Sequence, residues 1–231
     1  MATDPTNRSL VSHQTLHRAI VERIVAHLRP VSRLRSPGLR LAVWSMLEFV
    51  LLVFVFRHSG RTDLMLQLTN PWYLIVFGGF AAAGVIGAAF ALRAAVPGGG
   101  PSSIEVGLFL SVAAASALLL VHQPFNGEIT LGNFINEGKP CALMTLMLSA
   151  IPWIALAVLV RRGAPLFPGR DGALVGAAAF LSSFALMRVK CPIDEAMHLF
   201  VWHFLPALPG IAFSACAGLF VLKRRFQSST G

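Results

Sequence analysis

Long apolar stretches separated by short polar ones set the pattern of this chain. Six such stretches occur, and we read each as a helix: Leu39–Phe56, Trp72–Leu92, Val106–Val121, Cys141–Val160, Ala173–Met187 and Met197–Leu222. A helix rises about 1.5 Å per residue, so about 20 residues cross the roughly 30 Å of hydrocarbon in a bilayer. Most of the stretches approach that length, and the third and fifth are the shortest. The pattern predicts an all-α integral membrane protein with six transmembrane helices.

Residues 1–38 precede the first apolar stretch and show a different period. Four apolar residues recur there every four positions, with charged and polar residues between them: Leu16, Ile20, Ile24 and Leu28. This stripe predicts a short amphipathic helix from about Ser9 to Arg29, which Pro30 ends. The stripe suits either the inner leaflet of the membrane or a groove on a cytosolic partner. The segment lacks the continuous apolar core of a cleavable signal peptide, so we expect it to be retained. The chain then divides into a cytosolic segment, 1–38, and a membrane domain, 39–231.

Composition and charge add the orientation. Only 13% of the residues are charged, about half the share in a soluble domain, and the mean hydropathy is +0.70. Fourteen of the 19 lysines and arginines lie in the terminal segments or in the loops on the same side as the termini. The positive-inside rule therefore predicts that both termini are cytoplasmic, in the inner membrane of a bacterium. The net charge of +9 then reflects topology and contact with anionic lipid, and we expect no direct binding to nucleic acid.

Two polar residues lie inside predicted spans at similar depth. Glu48 is in the first span and His203 in the sixth, so a Glu48–His203 pair is geometrically possible. A carboxylate inside the membrane is costly, and such a residue is a functional candidate by default. The alternative is a protonated Glu48 that bonds a hydroxyl group, with these candidates: Ser116, Thr145 and Ser149.

The cysteines are the strongest candidates for chemistry. Cys216 lies within the sixth span and is expected to be inert packing. Cys141 and Cys191 are both predicted at the outer membrane boundary, in an oxidising compartment, so they are candidates for a disulfide or a dithiol switch. A purely structural disulfide and unpaired packing remain alternatives.

Metal ligation is a rival interpretation of the same region. Four groups that bind metals fall within eight residues: Cys191, Asp194, Glu195 and His198. Cys141 would add a second sulfur. No pair has the spacing of a dedicated site, so we expect neither a resident metal nor another cofactor. Asp194 and Glu195 also suit capping of the sixth helix. No catalytic motif occurs, and we do not expect an enzyme.

Several short motifs along the whole chain resemble one family. In the second half these are Arg161-Arg162-Gly163-Ala164-Pro165-Leu166, Cys191-Pro192 with Asp194 and His198, and Val201-Trp202-His203. In the first half they are Leu28-Arg29-Pro30-Val31 and Arg61-Thr62-Asp63-Leu64. Together they resemble the NrsF-type six-span anti-sigma factors of the bacterial inner membrane.

The resemblance implies a function that composition does not. The cytosolic segment would hold an extracytoplasmic-function sigma factor away from RNA polymerase, and a periplasmic redox or thiophilic-metal stress at Cys141 and Cys191 would release it. The apolar stripe is then the predicted sigma-contacting face, an inference from its periodicity and not from a family motif. The rival hypothesis is a transporter for small solutes or metal ions that uses Glu48 and His203, although the chain shows no clear inverted repeat.

Overall fold

A computed structural model describes residues 18–23, 25, 34–122 and 131–222. The chain separates into two units, Met1–Leu34 and Arg35–Gly231. In the first unit, residues 18–23 and 25 are helical, and Ile20 is exposed. Leu16, Ile24 and Leu28 lie outside the described residues. The amphipathic helix from about Ser9 to Arg29 therefore stays a prediction.

Every regular element in the described part of the second unit is helical. In chain order the helices are α1 (Pro37–Ser59), α2 (Leu64–Gln67), α3 (Pro71–Ala94), α4 (Ser103–Leu118), α5 (Leu131–Arg161), α6 (Pro168–Lys190), α7 (Ala196–His198) and α8 (Ala207–Val221). A 3-10 turn, Leu119–His122, continues α4, and a π-helical segment, Leu199–Phe204, joins α7 to α8.

Five helices of the described chain are long and apolar enough to cross a membrane: α1, α3, α5, α6 and the continuous run Ala196–Val221. The third predicted span corresponds to α4, whose 16 residues reach only about 24 Å. A span at this position stays a prediction. The fifth predicted span, Ala173–Met187, corresponds to α6. This helix is longer than predicted because it also includes polar residues at both ends.

The most polar of these helices lies at the centre of the bundle. Helix α6 packs against α1, α3, α5 and α8, and every residue from Val175 to Val189 is buried. Large apolar side chains of the outer helices are exposed instead, among them Met46, Phe49 and Phe213. This arrangement suits a bilayer, since polar groups inside hydrocarbon are stable only where other protein groups surround them.

Small residues allow α6 and α8 to pack very closely. A Cβ atom added at Gly172 would lie 2.5 Å from the carbonyl oxygen of Ser214, and one added at Gly218 would lie 2.3 Å from that of Pro168. Close approach through small residues is the usual way in which transmembrane helices associate. The contact fixes α8, and the π segment before it, against α6, the helix that Cys191 follows.

Candidate metal and redox centre

The two cysteines singled out in the sequence meet at one end of the bundle. Cys141 lies near the end of the third turn of the long helix α5, and Cys191 directly follows α6. Their sulfur atoms are 3.7 Å apart, a hydrogen-bonding distance for thiols, and both thiols are free. Cys191 is buried, whereas Cys141 is half-buried and gives the pair an opening to the surroundings.

Two histidines complete a compact group with the cysteines. The Nε2 atom of His198 lies 3.6 Å from the sulfur of Cys191, and the ring of His203 packs edge-on against that of His198 with 5.2 Å between centroids. One ligand atom from each of the four side chains lies within 4.8 Å of all the others. We call Cys141, Cys191, His198 and His203 the Cys2His2 cluster. Both histidines are buried, and His203 is completely inaccessible.

The π segment explains how two histidines five residues apart share one face. In an α-helix, five residues turn the chain by about 500°, which leaves the side chains about 140° apart. In a π turn, residue i+5 closes the hydrogen-bonded ring and stacks near residue i. Here the amide of Leu205 bonds the carbonyl of Phe200, five residues earlier, at 2.8 Å. Pro206 follows, and it favours the wider turn because it has no N–H for the carbonyl of Trp202.

A glycine sets the position of α5 beside the π segment. Gly138 lies three residues before Cys141, and an added Cβ atom there would come within 2.0 Å of the Trp202 ring. Only glycine leaves room for the indole at this point, since real Cβ contacts are never so short. The contact therefore aligns Cys141 with the residues on either side of Trp202.

We expect Gly138→Ala to separate the two cysteines. The added methyl must displace either the Trp202 ring or α5, and overpacking of this kind typically costs about 1–3 kcal/mol. The measurement is the rate at which an oxidant joins Cys141 to Cys191 in the purified protein. Gly132→Ala is the matched control on the same helix, because no atom lies within 4 Å of its added Cβ. Equal crosslinking of the two variants would show that the glycine does not set the alignment.

A cluster of four charged residues holds the segment after Cys191. We call this cluster the arginine clamp: Arg61, Asp63, Arg188 and Asp194. Arg61 donates to both carboxylate oxygens of Asp194, at 2.9 and 2.5 Å, and to both of Asp63, at 2.6 and 2.8 Å. Arg188 donates to Asp194 at 2.5 Å. Each arginine side chain is only 1% exposed, so Asp194 is the shared counter-charge of two buried cations.

The clamp also binds the backbone beside the cysteine. The Arg61 side chain donates to the carbonyl oxygens of Cys191 at 3.2 Å and Pro192 at 3.3 Å. The backbone N–H of Arg61 donates to the carbonyl oxygen of Val189 at 3.0 Å. The hydroxyl of Tyr73 donates to the Arg188 carbonyl at 2.8 Å. The loop after α1 and the start of α3 are thus attached to the chain on both sides of Cys191.

The electrostatics favour charged groups in this region. The hydrogen bonds from Arg61 lower the pKa of Asp63 to about 2, so this carboxylate stays charged until strongly acidic pH. The hydrogen bond from Cys141 lowers the pKa of the Cys191 thiol, against the opposing effect of burial, and His198 and His203 add to the lowering. A thiolate is the form of cysteine that attacks oxidants and binds metals.

The two acidic residues of the predicted sensor region act differently from the capping expected of them. The hydrogen bonds that the structure shows for the Asp194 carboxylate come from Arg61 and Arg188. Glu195 occupies the N-cap position of α7, but its side chain makes no capping hydrogen bond, and its buried Oε2 has no partner among the described residues. Neither carboxylate belongs to the Cys2His2 cluster.

Glu48 and His203, for which a pair was geometrically possible, have different partners in the structure. Glu48 accepts a hydrogen bond from the hydroxyl of Ser182 at 2.8 Å, which joins α1 to α6. His203 instead contacts His198 and the ring of Phe184. The alternative, a hydroxyl partner for Glu48, is right in kind, although the hydroxyl belongs to none of the three residues named for it. The two residues named in the transporter hypothesis therefore belong to separate polar contacts.

Little in the residue pattern predicts the arginine clamp. By charge pattern alone, Arg61 and Arg188 are two of the five basic residues predicted on the side opposite the termini, and Asp194, which they share, lies far from Arg61 in the chain. The signal that was present is the pairing of Arg61 with Asp63 two residues later, inside a motif of the family resemblance.

Comparison with known proteins identifies the family. A family model described as "NrsF: Negative regulator of sigma F" matches residues 24–224, which include α1 to α8 and the whole Cys2His2 cluster. Neither the curated proteins nor the solved structures give a significant match. The chain therefore belongs to the NrsF family of negative regulators of a sigma factor.

Proposed function

We propose that this protein is an anti-sigma factor of the bacterial inner membrane that holds an extracytoplasmic-function sigma factor through its cytosolic N-terminal segment. It releases the sigma factor when periplasmic redox or thiophilic-metal stress acts on Cys141 and Cys191. One observation carries the proposal: two free thiols lie 3.7 Å apart, at one end of a helical bundle, in a chain whose family regulates a sigma factor.

The chemistry at the cysteines links two parts of the bundle. Oxidation joins the two sulfurs at about 2.05 Å, releases two protons, and passes two electrons to a periplasmic oxidant. A thiophilic ion instead binds both sulfurs and displaces their protons. Either product links α5 firmly to the chain after α6. In the free state, the two thiols are joined only by a hydrogen bond. A signal of this kind shifts an equilibrium because it favours the conformation in which both sulfurs can be joined.

Helix α1 provides a route from this site to the N-terminal segment. At its end, Arg61 binds the carbonyl of Cys191. At its start, Arg40 donates to the carbonyls of Leu159 at 3.0 Å and Leu92 at 3.1 Å, near the ends of α5 and α3. The N-terminal segment leads directly into this start. A displacement of the Cys191 segment is therefore transmitted through Arg61 and α1 toward the residues that present the apolar stripe.

The sigma-binding face is tested by placing charges in that stripe. We expect full-length protein with Ile20→Asp and Ile24→Asp to lose at least about 100-fold in affinity for its sigma factor, since burial of each side chain is worth about 1.5–3 kcal/mol. The measurement is a titration of the purified sigma factor onto the membrane protein in detergent. Glu22→Gln is the control, because this residue lies across the predicted helix from the stripe. Unchanged affinity in the aspartate variant would move the interaction to the inner loops.

A further inference from the structure

We infer that Cys141, Cys191, His198 and His203 form a tetrahedral binding site for a thiophilic d10 metal ion of the Zn²⁺ type. The inference deepens the proposed function, on which it rests for its biological role, by naming the ligand that the site recognises. It assigns His198 and His203 as ligands, so that the two cysteines are two of four donors to the ion.

Two distances within the cluster match those around a tetrahedral ion. Zinc binds cysteine sulfur at about 2.3 Å and histidine nitrogen at about 2.0–2.1 Å, so two sulfurs lie about 3.8 Å apart and a sulfur and a nitrogen about 3.6 Å. The observed distances are 3.7 Å between the two sulfurs and 3.6 Å from Cys191 to His198 Nε2. These two distances already suit an ion, and all four ligand atoms lie within 4.8 Å of one another, whereas a disulfide requires the sulfurs to approach by about 1.7 Å.

His203 supplies an independent observation that points to a ligand. Its side chain is completely inaccessible, and neither ring nitrogen has a hydrogen-bond partner within the described part of the chain. A buried polar group without a partner costs about 1–3 kcal/mol, so such groups are uncommon. The ring is held against His198, and coordination to an ion shared with the cysteines would satisfy one of its nitrogens.

Charge and access also suit a divalent ion. Two thiolates and two neutral imidazoles around Zn²⁺ give no net charge, which a buried site tolerates far better than an unpaired ion. Asp194 and Glu195, the nearby carboxylates, are not part of the cluster, and Asp194 is occupied by the arginine clamp. The half-buried Cys141 leaves one ligand within reach of an entering ion.

The site is tested on the purified full-length protein in detergent, with Co²⁺ as the probe. We expect one Co²⁺ per chain, with the ligand-field absorption of a tetrahedral ion and a thiolate-to-cobalt charge-transfer band, both removed by added Zn²⁺. His203→Asn and His198→Gln should each weaken binding by more than the roughly 10- to 100-fold that loss of a merely supporting residue costs. Cys216→Ser is the control and should bind as the wild type does, because Cys216 is exposed and outside the cluster.

A second measurement needs no variant. X-ray absorption at the zinc edge of the loaded wild-type protein should show two sulfur and two nitrogen neighbours. No Co²⁺ binding, binding unchanged in both histidine variants, or a zinc shell without two nitrogens would each overturn the inference. Loss of sigma binding in the stripe variants is a separate result, so failure of the metal site and failure of the anti-sigma function are distinguishable.

Discussion

Asp194→Asn is expected to destabilise the membrane domain by about 3–5 kcal/mol, the usual cost of removing one partner from a buried ion pair. Asp194 is the only carboxylate of the arginine clamp that Arg188 contacts, and it shares Arg61 with Asp63. An amide in its place leaves a buried guanidinium without a counter-charge. The expected readout is a fall of roughly 10 °C in the apparent melting temperature in detergent.

Asp63→Asn is the matched control for this change. Asp63 also pairs with Arg61, but its side chain is 40% exposed, and water can replace much of the interaction. We therefore expect at most about 1 kcal/mol of destabilisation. Equal loss of stability in the two variants would contradict the view that Asp194 is the shared counter-charge of the clamp.

Replacing Cys141 or Cys191 by Ser is expected to abolish induction of sigma-dependent transcription by oxidants and thiophilic metals. A serine hydroxyl forms neither a disulfide nor a strong bond to a soft ion, so the link between α5 and the Cys191 segment cannot form. The measurement is a reporter gene under the cognate sigma factor, with the level of the membrane protein checked in each strain.

Cys216→Ser provides the comparison for the reporter. It removes a thiol from the same protein, in α8, away from the other two. We expect a normal response in this strain. A response that survives in the Cys141→Ser and Cys191→Ser strains at unchanged protein level would eliminate the two cysteines as the sensor.

Much of the fold followed from the apolar pattern. Five of the six predicted spans correspond to helices of sufficient length, because a continuous apolar stretch of about 20 residues has few other stable conformations. The pattern underestimated α6 for a physical reason. Arg188 and Asp171 are buried within this central helix, where protein and not lipid surrounds them, so hydropathy alone ends the span too early.

The site was predicted less completely than the fold. Topology alone placed Cys141 and Cys191 at the same boundary, and the structure brings their sulfurs together. The participation of His203 could not be read from the sequence, because α-helical geometry puts it on a different face from His198. The π turn that changes this depends on Pro206 and on packing around Trp202, which spacing does not report.

The partner of Glu48 could not be chosen from the sequence for a related reason. Similar depth along the membrane makes a Glu48–His203 pair possible, but depth leaves the rotation of each helix undetermined. Ser182 on the central helix takes the position next to Glu48, while the π turn directs His203 to the cysteines. Three-dimensional packing decides such pairings, and a single sequence does not encode them visibly.

The central claim is that chemistry at Cys141 and Cys191 controls a bound sigma factor. It is tested most directly by reconstituting full-length protein with its sigma factor in vesicles and measuring how much sigma factor stays bound after an oxidant or Zn²⁺ is added outside. We predict release from the wild type and from Cys216→Ser, and retention by the Cys141→Ser, Cys191→Ser double variant. The claim would be contradicted if the double variant released the sigma factor to the same extent, or if none of the three proteins released it.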